Sequence, residues 1–321
     1  MMRFRCIRVN KKYAQRVIDI LRKEDLLPAF KLKKDGEFVL IPIKNGDIPD
    51  FEFEYSVEFS EFEPIRRPEP IKARFDVVGD IAIIKFAEGM DVEKIATAIL
   101  KNHKNIKKVA VDYGVKGETR VRSLKLIYGE SFETIHREYG IRIKVDVSKV
   151  YFSPRLASER WRVVSQVNDG EIIYDMFCGC GPFSIMIAKY RKVKIFASDI
   201  NPYAINYLKE NIKLNKITTI TPILGDARDV VKSIGKVDRI IMNLPHSAYE
   251  FFPYALNAVK SGTKIHYYEI LNRDARIIKG RIVELQKLAE EKGIKLKLIE
   301  YHTVHPYSPS SDMYAFLFEI I

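Results

Sequence analysis

The stretch IIYDMFCGCGPFSIMIAKY, residues 172–190, decides the fold. An apolar strand runs straight into a turn carrying Gly179 and Gly181, and the turn opens into a helix. Glycine lets such a corner reverse sharply and lets backbone approach a ligand closely, while a helix start offers free N–H groups. One G-x-G corner is common in strand–helix turns, so its neighbours carry the argument. Downstream, the pattern predicts strands at 194–199, 220–224, 238–243, 263–270, 295–302 and 313–320, with helices at 182–190, 202–214, 248–260 and 275–292. Strands alternating with helices predict an α/β, Rossmann-like, mostly parallel seven-stranded sheet whose last two strands close as an antiparallel pair. A helix over 154–167 leads into it, and the domain is expected to span 151–321.

Three acids stand at successive strand ends. Asp175 closes the first strand, where a carboxylate can accept from a ligand ammonium. Asp199 closes the second, 18 residues beyond Gly181, where a carboxylate can chelate two ribose hydroxyls. Asp226, in GDARD, closes the third, where it can accept from an adenine amino group. Each alone also reads as a helix N-cap. The three in series, with glycines between them, point to a nucleotide-like cofactor. The corner lacks G-x-G-x-x-G, which argues against NAD and for S-adenosylmethionine. A fourth strand ends in Asn243-Leu244-Pro245-His246, similar to the N/D-P-P-Y/F element of methyltransferases that modify base nitrogens. There Pro245 stiffens the loop and Asn243 presents an amide.

Two small α+β modules are expected upstream. In residues 1–58 a strand (3–8) precedes an amphipathic helix (11–26) with Ala14, Val17, Ile18 and Leu21 on one face, and a strand pair (30–43) turns at Asp35-Gly36. Residues 59–72 carry three prolines and read as a linker. Residues 73–150 read as a hairpin (75–86), a helix (91–103), a strand (107–115), a basic stretch (116–129) that is partly loop, and a hairpin (133–147). The net charge of +12 favours polyanionic partners, although a Lys- and Glu-rich chain with three glutamines also suits a hot environment. No apolar run reaches the ~20 residues of a membrane span, and the first residues lack an apolar signal core, so a cytoplasmic protein is expected. Cys6, Cys178 and Cys180 form neither a disulfide framework nor a zinc-ligand spacing, and no metal is expected.

Four stretches resemble one family: GETRVRSL (117–124), KVYFSPRLASER (149–160), YDMFCGCGPFSI with ASDINPYAINYLKENIKLNK, and IIMNLPHSAYEF with IHYYEIL. They look like the archaeal and eukaryotic tRNA (guanine-N1)-methyltransferases that act at position 37, beside the anticodon. The resemblance implies S-adenosylmethionine as cofactor, tRNA as partner, and a first module that meets the outer corner of tRNA. It implies Glu159 as general base, Arg120 on the target guanine and Asn243 holding the base, with Tyr151 and Pro154 bordering the cofactor pocket. Cofactor contacts are then expected from Asp175, Phe177, Gly179, Gly181, Asp199, Ile200, Asp226, Ala227, Asn243 and Leu244, and substrate contacts from Arg120, Arg155, Pro245 and His246. Guanine nitrogen 1 carries a proton that must leave, and negative charge builds on the neighbouring oxygen; a carboxylate and a guanidinium suit those two needs. Plainer roles stay open: an i,i+3 ion pair of Glu159 with Arg162, a phosphate contact for Arg120, a solvated loop position for His246. NLPHSA is similar to an archaeal branch that also methylates a ring carbon of a tricyclic wyosine precursor, at carbon 7, which adds a second expected activity. The alternative is the related 3-amino-3-carboxypropyl transferase of wyosine biosynthesis, which uses the same cofactor and lacks the Asn-Leu-Pro element. A monomer is expected.

Overall fold

The structure, a computed structural model, describes residues 1–64, 71, 73–116 and 121–321. It divides into two units, Met1–Glu69 and Pro70–Ile321. The first unit holds β1 (Met2–Asn10), α1 (Lys11–Lys23), β2 (Lys33–Asp35), β3 (Phe38–Pro42) and β4 (Tyr55–Phe62), with sheet order β2-β3-β1-β4. Asn10 caps α1 by accepting from the Lys12 N–H at 3.2 Å, and the helix buries Ala14, Val17 and Leu21 against Ile7, Val9, Val39 and Ile41. Ile18 is only partly buried. Strand β4 corrects the expected boundary at residue 58: it pairs with β1 from Val9↔Tyr55 to Met2↔Phe62, so 59–62 are strand and not linker. YSVEFSEF lies at a sheet edge, where even Val57 and Phe59 stay exposed, and its serines and glutamates made it read as a connection.

The second unit begins with β5 (Phe75–Val78), β6 (Ile81–Lys85), α2 (Val92–Asn102), β7 (Lys108–Lys116) and β8 (Val121–Tyr128), forming a sheet in the order β5-β6-β7-β8. Strand β8 occupies much of the basic stretch expected to be partly loop. The hairpin β9 (Glu133–Glu138) and β10 (Ile141–Asp146) turns through Tyr139 and Gly140, both at positive φ. No break falls at residue 150. Ile141, Ile143 and Val145 share one core with Val78 and Ile81 on one side and with Phe183 and Ile185 on the other. The Asn211 and Asn215 side chains also bond the backbones of Lys144 and Arg142. The modules expected at 73–150 and 151–321 are therefore one packed unit.

A short 3₁₀ turn, Pro154–Leu156, opens α3 (Ala157–Gln166). There follow β11 (Ile172–Asp175), α4 (Pro182–Tyr190), β12 (Lys194–Asp199), α5 (Pro202–Leu214), β13 (Ile220–Leu224), α6 (Ala227–Val230), β14 (Arg239–Met242), α7 (Ala248–Ala255), β15 (Lys264–Asn272), α8 (Ala275–Glu290), β16 (Leu296–Pro306) and β17 (Ser311–Ile320). The seven-stranded sheet runs β13-β12-β11-β14-β15-β17-β16, parallel up to β15, with β17 antiparallel to both of its neighbours. This is the α/β Rossmann-like architecture expected from 172–190. Strand order reverses between β11 and β14, and in such sheets ligands bind beyond the strand C-termini at that point.

Candidate active site

The corner after β11 is built for close approach. Gly179 and Gly181 sit at φ +54 and +86. A Cβ on Gly181 would stand 2.3 Å from Leu208 Cδ1, so α5 requires glycine there. A Cβ on Gly179 would meet nothing nearer than the Tyr151 carbonyl oxygen at 3.8 Å, which leaves that backbone open toward a ligand. The same measurement brings the KVYFSP stretch to the corner; Asn201 reinforces this by donating to the Lys149 carbonyl at 2.8 Å. The Tyr151 ring is half exposed, with the Arg122 guanidinium 5.6 Å from its centre. Phe177 packs edge-on against Phe251 at 5.0 Å.

Asp175 is buried, and only one of its oxygens is satisfied: Oδ2 accepts from the Ser184 hydroxyl at 2.7 Å, while Oδ1 has no partner among the described residues. Burial, aided by the Asp199 charge, pushes its carboxyl up to about 7. Asp199 accepts from the Gly179 N–H at 2.8 Å and the Asn201 N–H at 2.9 Å, and burial raises its carboxyl as well. Each of its oxygens keeps a further lone pair. Exposed Ile200 (53%) and Leu224 (56%) flank it, Leu224 lying opposite Asp199 in the β12–β13 register. Asp226 takes the plainer role: it caps α6 by accepting from the Arg228 N–H at 2.8 Å, and the Arg228 guanidinium grips both oxygens, holding the carboxyl below its ordinary range. Ala227 is buried behind it.

Across the switch point, the Asn243 side chain makes no hydrogen bond to a described residue and is partly exposed. Its loop is fastened at both sides. The Leu244 carbonyl accepts from the Ser247 and Ala248 N–H groups, and the Pro245 carbonyl accepts from the Ile270 N–H at 2.9 Å. His246 lies edge-on to Tyr307 at 5.3 Å. Pro154 starts the turn into α3, and Arg155 reaches Asp76 twice, at 2.7 and 3.0 Å. Arg120 lies outside the described residues.

Glu159 is where the geometry departs furthest from expectation. It is 4% exposed, and every acceptor direction is used. Oε1 accepts from Arg162 and the Tyr268 hydroxyl, both at 2.7 Å; Oε2 accepts from Arg162 at 2.9 Å and faces His302 Nε2 at 3.0 Å. Burial alone would raise this carboxyl, but Arg162, His302 and Tyr268 outweigh it and hold it at about 2. The i,i+3 pair with Arg162 is thus present, inside a larger cluster. Sequence reading missed Ser184, Tyr268, His302 and Leu224. Arg228 was missed too, although DARD places it two residues from Asp226, whereas Tyr268 and His302 lie 109 and 143 residues from Glu159 and left no local sign. Among the described residues no group of three or more His, Cys, Asp or Glu side chains could hold a metal, and no helix is long and apolar enough to cross a membrane.

Three family models match the chain: the tRNA methyltransferase 5 N-terminal domain over 6–52, the TYW2 N-terminal domain over 66–132, and the TRM5/TYW2 methyltransferase domain over 134–297. The tRNA (guanine(37)-N(1))-methyltransferase Trm5b of Pyrococcus abyssi is 42% identical over 87% of this chain and 88% of its own length. The solved complex of aTrm5 and tRNALeu is 35% identical with a TM-score of 0.80, covering 98% of this chain and 99% of that one. Methanocaldococcus jannaschii TYW2, solved in complex with AdoMet, is 30% identical with a TM-score of 0.58, covering 77% of this chain and 100% of that one. With the glycine corner, the acids on successive strands and a match that runs through both units, the chain belongs to the TRM5/TYW2 methyltransferase family.

Proposed function

We propose that this chain methylates ring nitrogen 1 of guanosine 37 in tRNA, using S-adenosylmethionine. The observation that carries the cofactor half is the buried Oδ1 of Asp175, without a partner among the described residues and four residues before Gly179 of an open glycine corner. An acid left so is incomplete until a cation reaches it, and the cofactor's ammonium supplies one. Asp199 suits the ribose hydroxyls, and Ile200, Leu224 and Phe177 suit an aromatic ring. Asp226 reaches an adenine amino group only if Arg228 lets go, so we assign the adenine side to Ala227 backbone and the apolar wall first. When bound, the cofactor supplies an electrophilic methyl group. The substrate half is supported by the relatives, named for methylation at guanine 37 or solved with tRNA, and by the net charge of +12.

Asn243, with no hydrogen-bond partner among the described residues and on a loop stiffened by Pro245, holds the base edge. Arg120 stabilises charge on the guanine oxygen. Glu159 takes the nitrogen 1 proton, on a condition that its contacts impose. A carboxylate at about 2 with four donors is a weak base, so Arg162 or His302 must swing away as substrate arrives. The protein is proposed to work in the cytoplasm as a monomer; the absence of a membrane-length helix among the described residues agrees with the first point. The by-product of a reaction with tRNA tests the transfer itself. S-adenosylhomocysteine is expected; methylthioadenosine would replace this reading with 3-amino-3-carboxypropyl transfer.

A further inference from the structure

A cleft of about 440 Å³ lies between the β5–β8 sheet and the tip of the β16–β17 hairpin, and of the residues expected to meet substrate Arg155 is in its lining. It is lined by Arg74, Lys85, Arg122, Arg155, Tyr307 and two acids, Asp76 and Asp112. The acids are committed. Asp76 takes Arg155 at 2.7 Å and Arg122 at 3.6 Å, and Asp112 takes Arg122 at 3.2 Å. Arg74 and Lys85 have no carboxylate partner among the described residues, so two cations remain for an anion.

The opposite wall is aromatic and held in place. Tyr307 is 53% exposed and stands between Pro306 and Ser308-Pro309. The Tyr307 and Ser308 N–H groups both donate to the Ser311 carbonyl, at 3.0 and 2.9 Å, which pins the hairpin tip. The ring meets His246, so the tip abuts the loop that carries Asn243 and Pro245. Arg122 in turn lies over Tyr151, at the edge of the cofactor corner. Past Lys85 and Asp112, the exposed rings of Phe86 and Tyr113 lie 4.7 Å apart and extend the aromatic surface.

Single-stranded nucleic acid is held in this way, with cations along the backbone and aromatic rings under the bases, and a cleft of this volume has room for a small ligand. We propose that the cleft is a subsite for the nucleotide next to the methylated guanosine, its base against Tyr307 and its phosphate on Arg74 and Lys85. The inference rests on the tRNA reading above.

The test uses the full chain and tRNA transcripts carrying 2-aminopurine on one or other side of the target guanosine. Binding to the unaltered protein should quench one of the two reporters. Tyr307→Phe should keep the quench. Tyr307→Ala should lose it and weaken tRNA binding roughly tenfold, the scale of one lost base stack, with cofactor affinity by calorimetry unchanged. Arg74→Glu with Lys85→Glu should weaken tRNA binding and reduce its salt dependence. If Tyr307→Ala quenches and binds as the unaltered protein does while that protein methylates tRNA, the subsite is wrong and the tRNA reading stands. If Tyr307→Ala loses cofactor affinity in parallel, Tyr307 is structural and the subsite is wrong. An unaltered protein that neither binds nor methylates tRNA overturns both.

Discussion

Two buried acids of the same unit, Asp175 and Glu159, meet opposite surroundings. Asp175 keeps one oxygen without a donor among the described residues, and burial pushes it up to about 7. Glu159, 4% exposed, is filled by Arg162, Tyr268 and His302 and sits at about 2. An acid that lacks a partner in the protein is prepared for a ligand, whereas one already satisfied anchors structure until something removes a partner. Here the fully partnered acid is the one that family resemblance implies as base.

The largest effect expected is on Glu159. Glu159→Gln should lower single-turnover methylation by roughly 10²–10⁴ if proton removal passes through it, with the defect shrinking as pH rises toward the intrinsic pKa of the guanine proton. The same change should destabilise the fold by about 1–3 kcal/mol, since Arg162 loses an ionised partner. Its stabilising contribution has a defined window: the folded pKa lies below the ordinary 4.5, so it is present above 4.5 and lost as pH falls toward about 2. Acid unfolding of the variant should therefore lose its steepness there. A variant that is less stable yet methylates at a near-normal rate at neutral pH leaves Glu159 as an anchor, and the proton then passes to a water held by Asn243.

Asp199→Ala should weaken cofactor binding by roughly 1.5–3 kcal/mol, the scale of lost charge-assisted hydrogen bonds. Unchanged calorimetric affinity in a folded variant counts against the ribose assignment. Asp175 sharpens the comparison through pH. Its folded pKa is raised, so below about 7 it is neutral and must release a proton to receive an ammonium. Cofactor affinity should rise about tenfold per pH unit below 7 and level off above it. Asp175→Asn should bind weakly with a flat profile. By linkage, the ligand-free fold loses stability as pH rises from 3.8 through about 7, opposite in sign to Glu159, and the Asn variant should escape that loss. The smallest effect on the ligand-free fold is expected at Gly179, where Ala meets no protein atom closer than 3.8 Å and carries the left-handed backbone cost, about 1–2 kcal/mol. Gly181→Ala, driven into Leu208, should unfold at a visibly lower temperature than Gly179→Ala.

The sheet half was legible because each signal was local. Helices α4 and α5 fall on 182–190 and 202–214 as expected, and the acids Asp175 and Asp199 end β11 and β12. Glycine corners and strand ends are written in consecutive residues. Strands β4 and β8 were hidden by polar composition, because an edge strand needs apolar residues on one face only. The division at 150 was illusory because Ile141, Ile143 and Val145 find their core among residues far along the chain. The same holds for Glu159: its pattern in SPRLASER suggested chemistry, but its charge state is set by Tyr268 and His302 on distant strands.

Methyl transfer to guanosine 37 of tRNA can be measured directly. A tRNA transcript with guanosine at position 37, and a matched transcript with adenosine there, are incubated with the full chain and S-adenosylmethionine, and their nucleosides are weighed by mass spectrometry. The account requires 1-methylguanosine from the first transcript and none from the second. Equal 1-methylguanosine from both, or a methyl group on any other atom of an otherwise unmodified transcript, contradicts it.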